Sequence, residues 1–255
     1  MNTPTPRRIE SADNAFYRRL KKVLAGRGIR KEGAVLVSGP KSVGDVLRLL
    51  PERCEAWISA EGHGEPPATL TGDMPWYVLS RGLFAELDIF GTGAPLLLLR
   101  MPPIPVWDAA APLPPGCTLL IPFQDPDNVG AAIRSAVAFD VAQVIMLAGS
   151  ANPYHPKAIR ASGGAVFHAR LGVGPAVDAL LDTLPLVPLS GEGRPLDDVA
   201  FPEPYALLPG VEGPGLPARF RARAVSIPIS DRTESLNAAA ATAIALYVWT
   251  QRRAR

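Results

Sequence analysis

Apolar and polar positions divide the chain into two patterned stretches separated by one run that has no pattern. In the first stretch Phe16, Leu20, Val23 and Leu24 recur at helical spacing. They predict an amphipathic helix over 14–25, capped by Ser11 or Asp13 and ended by Gly26 and Gly28, with Phe16, Leu20 and Leu24 in the core. The opposite face carries Arg18, Arg19, Lys21 and Lys22. Short apolar runs predict strands over 34–38, 55–59, 77–80 and 95–101, with helices over 41–50 and 83–87 between them. The result is an α/β unit of ordinary small-domain size over 1–101.

Residues 102–116 hold six prolines in fifteen positions. Too few backbone donors remain there for a helix or a central strand, so the run reads as a stiff domain linker. Beyond it, over 117–255, strands at 118–123, 143–147, 165–171, 186–189, 205–208 and 225–229 alternate with helices at 129–139, 156–161, 175–184 and 234–251. Such alternation predicts a parallel sheet with helices on both faces and a ligand site beyond the carboxyl ends of the strands. The last helix has apolar residues on more than one face, which predicts burial against another copy of the chain.

Composition narrows the chemistry. With 47% hydrophobic residues in 255, a core needs neither disulfides nor metal. Cys54 and Cys117 stand alone, and His63, His155 and His168 are scattered, so no metal spacing occurs. His155 and His168 read as structural or surface residues. No secretory signal is present and the longest apolar runs are too short to span a bilayer, which predicts a soluble cytoplasmic protein. Net charge is +2, yet residues 1–32 hold nine Lys/Arg against three acids, leaving −4 for the remaining 223 residues. A basic end on a near-neutral body suits a polyanion such as RNA, and equally a solvated terminus.

There is no Walker A loop, no GxGxxG after a strand and no HExxH, and the Gly-Glu-Gly of 191–193 is too short for a phosphate loop. Asp125 and Asp127 flank Pro126 and read as turn and cap residues. Three stretches put polar residues directly after an apolar strand. Residues 124–136 place Asn128 to cap a helix and Arg134 further along it. Residues 207–217 form a Gly/Pro-rich loop around Glu212. Residues 227–241 bring Ser235 or Asn237 into a small-residue helix whose alanines, 238–241, allow close backbone approach. Taken singly, each polar residue reads as a cap, a loop carboxylate or a surface arginine.

In combination they resemble the three signature motifs of the SpoU (TrmH-like) branch of SPOUT RNA 2′-O-ribose methyltransferases. The first motif is matched at Asp125, Pro126, Asn128, Gly130, Arg134 and Ala136, the second at Gly210, Glu212, Gly215 and Leu216, and the third at Ile227, Pro228, Ser235, Leu236 and Asn237. Residues 157–168 are also similar to a stretch common in that family. Val211 stands where Asn is common, Ile229 for Met and Ala238 for Val. The resemblance implies a C-terminal parallel-sheet domain closed by a trefoil knot, with S-adenosylmethionine held by backbone groups around Leu189, Gly210, Ile227 and Leu236. It implies a catalytic set of Arg134, Asn128, Glu212, Ser235 and Asn237. Arginine is always protonated, so Arg134 is expected to grip a phosphate and stabilise the developing alkoxide rather than take the proton. Asn128 would orient Arg134 or the ribose, and Glu212 would steady Asn128 or a third-motif group. The N-terminal part resembles the family's L30e-like substrate-binding domain, with Arg18, Arg19, Lys21, Lys22, Arg27, Arg30 and Lys31 on RNA. A homodimer through the knotted domain and ribosomal RNA as substrate follow from the same resemblance; transfer RNA, or RNA binding without catalysis, are the alternatives.

Overall fold

The computed structural model describes residues 5–67, 74–210 and 215–253, without the side chain of Arg27. It divides into two compact units, one of residues 1–103 with 154–167 and one of 104–153 with 168–255.

The first unit contains β1 (Arg7–Ile9), α1 (Ala15–Leu24), α2 (Arg27–Glu32), β2 (Ala34–Val37), α3 (Pro40–Leu49), β3 (Cys54–Ala60), β4 (Trp76–Leu79), α4 (Arg81–Leu87) and β5 (Leu96–Arg100). The sheet order is β1-β4-β3-β5-β2, with β1, β4 and β3 parallel and β5 antiparallel to both neighbours. Leu96 to Leu99 on β5 are fully buried and form the middle of the core. The cap of α1 is Asn14, not Ser11 or Asp13: its side chain accepts from Phe16 N at 2.9 Å and Tyr17 N at 3.2 Å. The buried stripe is Tyr17, Leu20 and Val23, while Phe16 is only half-buried and stacks on Tyr77 at 3.9 Å. Tyr17 enters the core because its hydroxyl finds Glu86 at 2.8 Å, a partner 69 residues away. β1 and α2 were not expected. β1 is a basic edge strand with one buried residue, Ile9, so it shows no alternation. α2 spans six residues between Gly26 and Gly33, both at positive φ.

The second part of the chain contains β6 (Cys117–Ile121), α5 (Pro126–Ala138), β7 (Gln143–Met146), α6 (Pro156–Ser162), β8 (Leu171–Val173), β9 (Leu186–Pro195), β10 (Tyr205–Leu208), α7 (Ala218–Arg221), β11 (Val225–Ser226) and α8 (Ala238–Arg253). Of these, α6 groups with the first unit. The sheet runs β11-β9-β10-β6-β7-β8 and every pairing is parallel, as the strand–helix alternation predicts. β6, β7 and β10 are buried throughout, which explains their unbroken apolar runs.

Four expectations change. Over 165–171 there is a short 3-10 turn (Ala165–Phe167), and the strand comes only at β8. The helix expected over 175–184 reduces to one 3-10 turn, Val177–Ala179. There the Arg219 guanidinium donates to the carbonyls of Asp178 (2.7 Å) and Leu180 (3.0 Å) and meets Asp182 at 2.9 Å, satisfying groups that a helix would have used itself. β11 is two residues long, whereas β9 extends to Pro195. Finally, part of the proline-rich run joins the sheet edge. Val106 pairs with Val173, with Trp107 N donating to Val173 O and Val173 N to Pro105 O, both at 2.8 Å. Gly172 makes room for this: a Cβ there would stand 2.8 Å from Ile145 and 3.3 Å from Trp107.

Candidate active site

Within the second unit a cleft of about 510 Å³ opens at the carboxyl ends of β9, β10 and β11, where ligands sit in parallel sheets. β9 contributes Leu189, Ser190 and Gly191, and Pro209 and Gly210 follow β10. Val225 lies on β11, Ile227 and Ile229 beyond it, and the first turns of α5 and α8 close the rim with Asn128, Ser235, Leu236 and Asn237. Leu189, Gly210, Ile227 and Leu236 therefore lie around one cavity, together with three of the five polar candidates.

Capping explains how the polar rim is built. α5 begins at Pro126, whose missing N–H costs nothing at a first helical position, and Asp125 caps it by accepting from Asp127 N at 3.1 Å. Asn128 is thus not the cap. It sits one turn inside, and its Oδ1 accepts from Asn237 Nδ2 at 2.8 Å across 109 residues of sequence. Asn237 is the cap of α8, its Oδ1 accepting from Ala239 N (3.0 Å) and Ala240 N (3.1 Å). That double commitment fixes the amide orientation: oxygen toward the helix, NH2 toward Asn128. The same cap moves the helix start from the expected 234 to Ala238.

Ser235 is exposed and its carbonyl accepts from the Thr233 hydroxyl at 3.3 Å. Arg134 is exposed and does not line the cleft. It lies six residues beyond Asn128, about 9 Å along the axis and off its stripe. Glu212 and Val211 lie outside the described residues. Ser190, Gly191, Pro209, Gly215, Ala238 and Ala241 line the cleft without having been singled out as ligand contacts. Their one sequence signal was small size just after a strand or at a helix start.

Among the described residues no side chain lining the cleft is titratable. Its walls are apolar or small, and its polar groups are backbone, amide and hydroxyl. A Cβ added to Gly210 would stand 3.4 Å from Leu189 O, so a larger residue would fill the cradle. Just past the cleft β9 and β11 approach so closely that a Cβ on Gly193 would meet Ala224 O at 2.5 Å. Among the described residues there is no group of three or more metal-ligating side chains, and no helix is long and apolar enough to cross a membrane.

The first unit carries the basic candidates. Arg19 is gripped by Glu55 at 2.8 Å and Glu32 at 3.4 Å, and Lys21 by Glu86 at 3.0 Å. Arg18, Lys22, Arg30 and Lys31 are exposed and enter no ion pair among the described residues. Lys21, Lys22 and Lys31 rim a hollow of about 440 Å³ with α1 and α2.

A parallel sheet with a cleft beside its strand ends, closed by two capped helices, has the form of a small-molecule site. The model of the SpoU rRNA Methylase family matches residues 117–247, and the chain belongs to that family. A protein of Syntrophobacter fumaroxidans named Ribosomal RNA small subunit methyltransferase G 2 is 51% identical over 245 residues, 96% of this chain but 49% of its own length. The chain therefore spans about half of that relative. The 23S rRNA (guanosine(2553)-2′-O)-methyltransferase RlmP of Bacillus subtilis is 27% identical over 251 residues, 94% of this chain and 98% of its own. An AdoMet-bound rRNA methyltransferase of Sinorhizobium meliloti shares the fold, with a TM-score of 0.79 at 20% identity over 97% of this chain and 98% of that one.

Proposed function

We propose that this protein transfers a methyl group from S-adenosylmethionine to a ribose 2′-hydroxyl of ribosomal RNA. The carrying observation is the Asn128–Asn237 hydrogen bond at the rim of the cleft, which ties the first and third motifs together. The cofactor fits the residues present. Leu189, Gly210, Ile227 and Leu236 would hold it through backbone groups and apolar contacts, and the small residues Gly191, Gly215 and Ala241 leave it room. When bound, it supplies an electrophilic methyl on a sulfonium.

The chain's own part is positioning. Asn237 holds Asn128 by its oxygen, which turns the Asn128 NH2 into a donor of fixed direction for the ribose or its phosphate. Ser235 adds a hydroxyl to the same rim. Among the described residues no titratable side chain lines the cleft, and we assign proton removal from the 2′-oxygen to the RNA phosphate gripped by Arg134. Glu212 is assigned a supporting role by its motif position alone.

Arg134 is absent from its own cleft, which supports a homodimer. Ile244 (38% exposed) and Tyr247 (53%) lie on α8, which packs on α5, and Tyr247 meets Phe139 edge-on. A second copy would cover that surface and bring the helix bearing Arg134 to a subunit boundary. The close crossing at Gly193 supports the expected knot, a rare exception to unknotted chains. Residues 1–101 would bind RNA through Arg18, Lys22, Arg27, Arg30 and Lys31, with 102–116 as the linker to the catalytic domain. A cytoplasmic location follows from the substrate.

The test is incubation of purified protein with labelled cofactor and ribosomal RNA from a strain lacking this gene, followed by nuclease mapping. One labelled 2′-O-methylated nucleoside is expected. Cofactor binding without transfer to naked RNA, intact subunits or transfer RNA would overturn the reading. A sedimentation mass of one chain at micromolar concentration would overturn the dimer.

A further inference from the structure

Three arginines stand in five residues at the end of the second unit's sheet, Arg219, Arg221 and Arg223, with no acid between them. Arg219 is consumed by Asp182 and two carbonyls. Arg221 and Arg223 are exposed and enter no ion pair among the described residues. Arg194 joins them from another part of the chain: it pairs in register with Val225, and its backbone N–H donates to Ala224 O at 3.1 Å. Arg194 therefore lies against the Ala224–Val225 backbone, one to two residues along the chain from Arg223. Arg194 too is exposed and makes no ion pair there. The nearest carboxylate along β9, Glu192, has its backbone N–H turned to Ser190 Oγ at 3.3 Å and is not bonded to any of the three.

The place of this cluster matters as much as its charge. Arg194 is on β9, which lines the cleft through Leu189 to Gly191, while Arg221 ends α7 and Arg223 lies in the turn before β11, whose Val225 also lines it. Three residues of strand separate Gly191 from Arg194, about 10 Å. The sheet is rigid there, since Gly193 packs directly on the backbone of Ala224. Guanidinium groups that pair with no carboxylate among the described residues, on a stiff edge next to the cleft, have a geometry suited to phosphodiesters, which they bind in a planar, forked fashion.

We propose that Arg194, Arg221 and Arg223 form an RNA-backbone contact on the methyltransferase unit itself, independent of the basic helices of the first unit. It would hold the strand that flanks the reacting nucleotide. The proposal rests on RNA being the substrate. It adds to that reading a sequence-independent anchor beside the cofactor cleft, of the kind that sets position rather than specificity.

The test compares wild-type protein with R194Q/R221Q/R223Q in ribosomal RNA binding across salt concentrations, with cofactor affinity measured by calorimetry. Each phosphate contact contributes about 0.7 to 0.9 to the slope of log K against log salt. The triple variant should lose about 2 in slope, and at least about tenfold in affinity at 0.15 M salt, with cofactor affinity unchanged. Equal affinity and slope would overturn the proposal. A parallel measurement needs no variant: an arginine-specific dicarbonyl reagent is applied to wild-type protein with and without RNA, and the modified positions are read by mass spectrometry. Protection of the three arginines by RNA supports the contact, and undiminished reactivity overturns it. Protection without methyl transfer would support the contact and overturn the function. Transfer with the arginines unprotected would do the reverse.

Discussion

Arg19 on α1 and Arg221 on α7 look alike in sequence, each an arginine in a basic run on a helix. In the structure Arg19 is half-buried between Glu55 at 2.8 Å and Glu32 at 3.4 Å, and Arg100 approaches the same Glu55 at 3.7 Å. Arg221 meets no carboxylate among the described residues. The first unit thus holds the larger local excess of positive charge but spends part of it on its own acids, including Lys21 on Glu86. The second unit has fewer cations by count in any one run, yet leaves a group of them free beside its cleft. Charge density in sequence and charge available to a polyanion are different quantities, because an ion-paired arginine has already satisfied its strongest donors.

The sharpest break of this comparison is at the cleft, where polar groups act by position rather than charge. Asn237→Ala removes both the α8 cap and the donor to Asn128, and methyl transfer should fall at least about a hundredfold, the scale of losing one aligned donor. It should also cost about 1 kcal/mol of stability through the cap. Asn237→Asp keeps the capping oxygen and loses the NH2, so activity should fall as far while thermal unfolding stays near wild type. If the aspartate variant remains active, the amide bridge is structural only.

Next is the β9–β11 crossing. Gly193→Ala drives a methyl group into Ala224 O and should destabilise the second unit by about 1–3 kcal/mol, seen as an earlier urea midpoint with a weaker cofactor affinity. A neutral result would mean the crossing yields freely.

A smaller effect separates tied from free cations in the first unit. Arg19→Gln should lower stability by about 0.5–1 kcal/mol, discounted for its partial exposure, and leave the salt slope of RNA binding unchanged. Arg18→Gln with Lys22→Gln should do the opposite, leaving stability alone and lowering the slope by about 1–2.

The smallest concerns Glu86. The Lys21 ammonium first, then the Tyr17 hydroxyl, hold its carboxyl below its ordinary value of 4.5. A depressed carboxylate stabilises the fold above its unfolded value, and that contribution is lost as pH falls through the folded one. Glu86→Gln should therefore lower neutral stability slightly and converge with wild type as pH falls below 4.5, flattening the acid limb, which urea titrations at several pH values would read.

Local patterns carried much of this molecule. The parallel sheet of the second unit was legible because buried strands such as β6 and β10 are apolar apart from Thr118, and because each motif follows a strand directly. Asp125 and Pro126 announced the start of α5 by their own chemistry. Leu189, Gly210, Ile227 and Leu236 were named in advance from the motif resemblance and do line one cleft, whereas Ser190, Gly191 and Pro209 were not singled out. β1 and α2 escaped because each buries a single isoleucine, Ile9 or Ile29, flush against residues far along the chain.

By itself the sequence determined most of the second unit's strand order, its parallel sheet, three of the polar residues that meet at the cleft and the family to which they belong, since these rest on spacing within a few turns or strands. The tertiary structure alone decided that Asn128 is held by Asn237 instead of capping its helix, that Arg219 satisfies carbonyls where a helix over 175–184 was expected, and that Arg19 is tied while Arg194, Arg221 and Arg223 enter no ion pair among the described residues. The reason is the same in each case. Which partner satisfies a donor depends on groups brought together from distant parts of the chain, and that competition is settled only when the core closes.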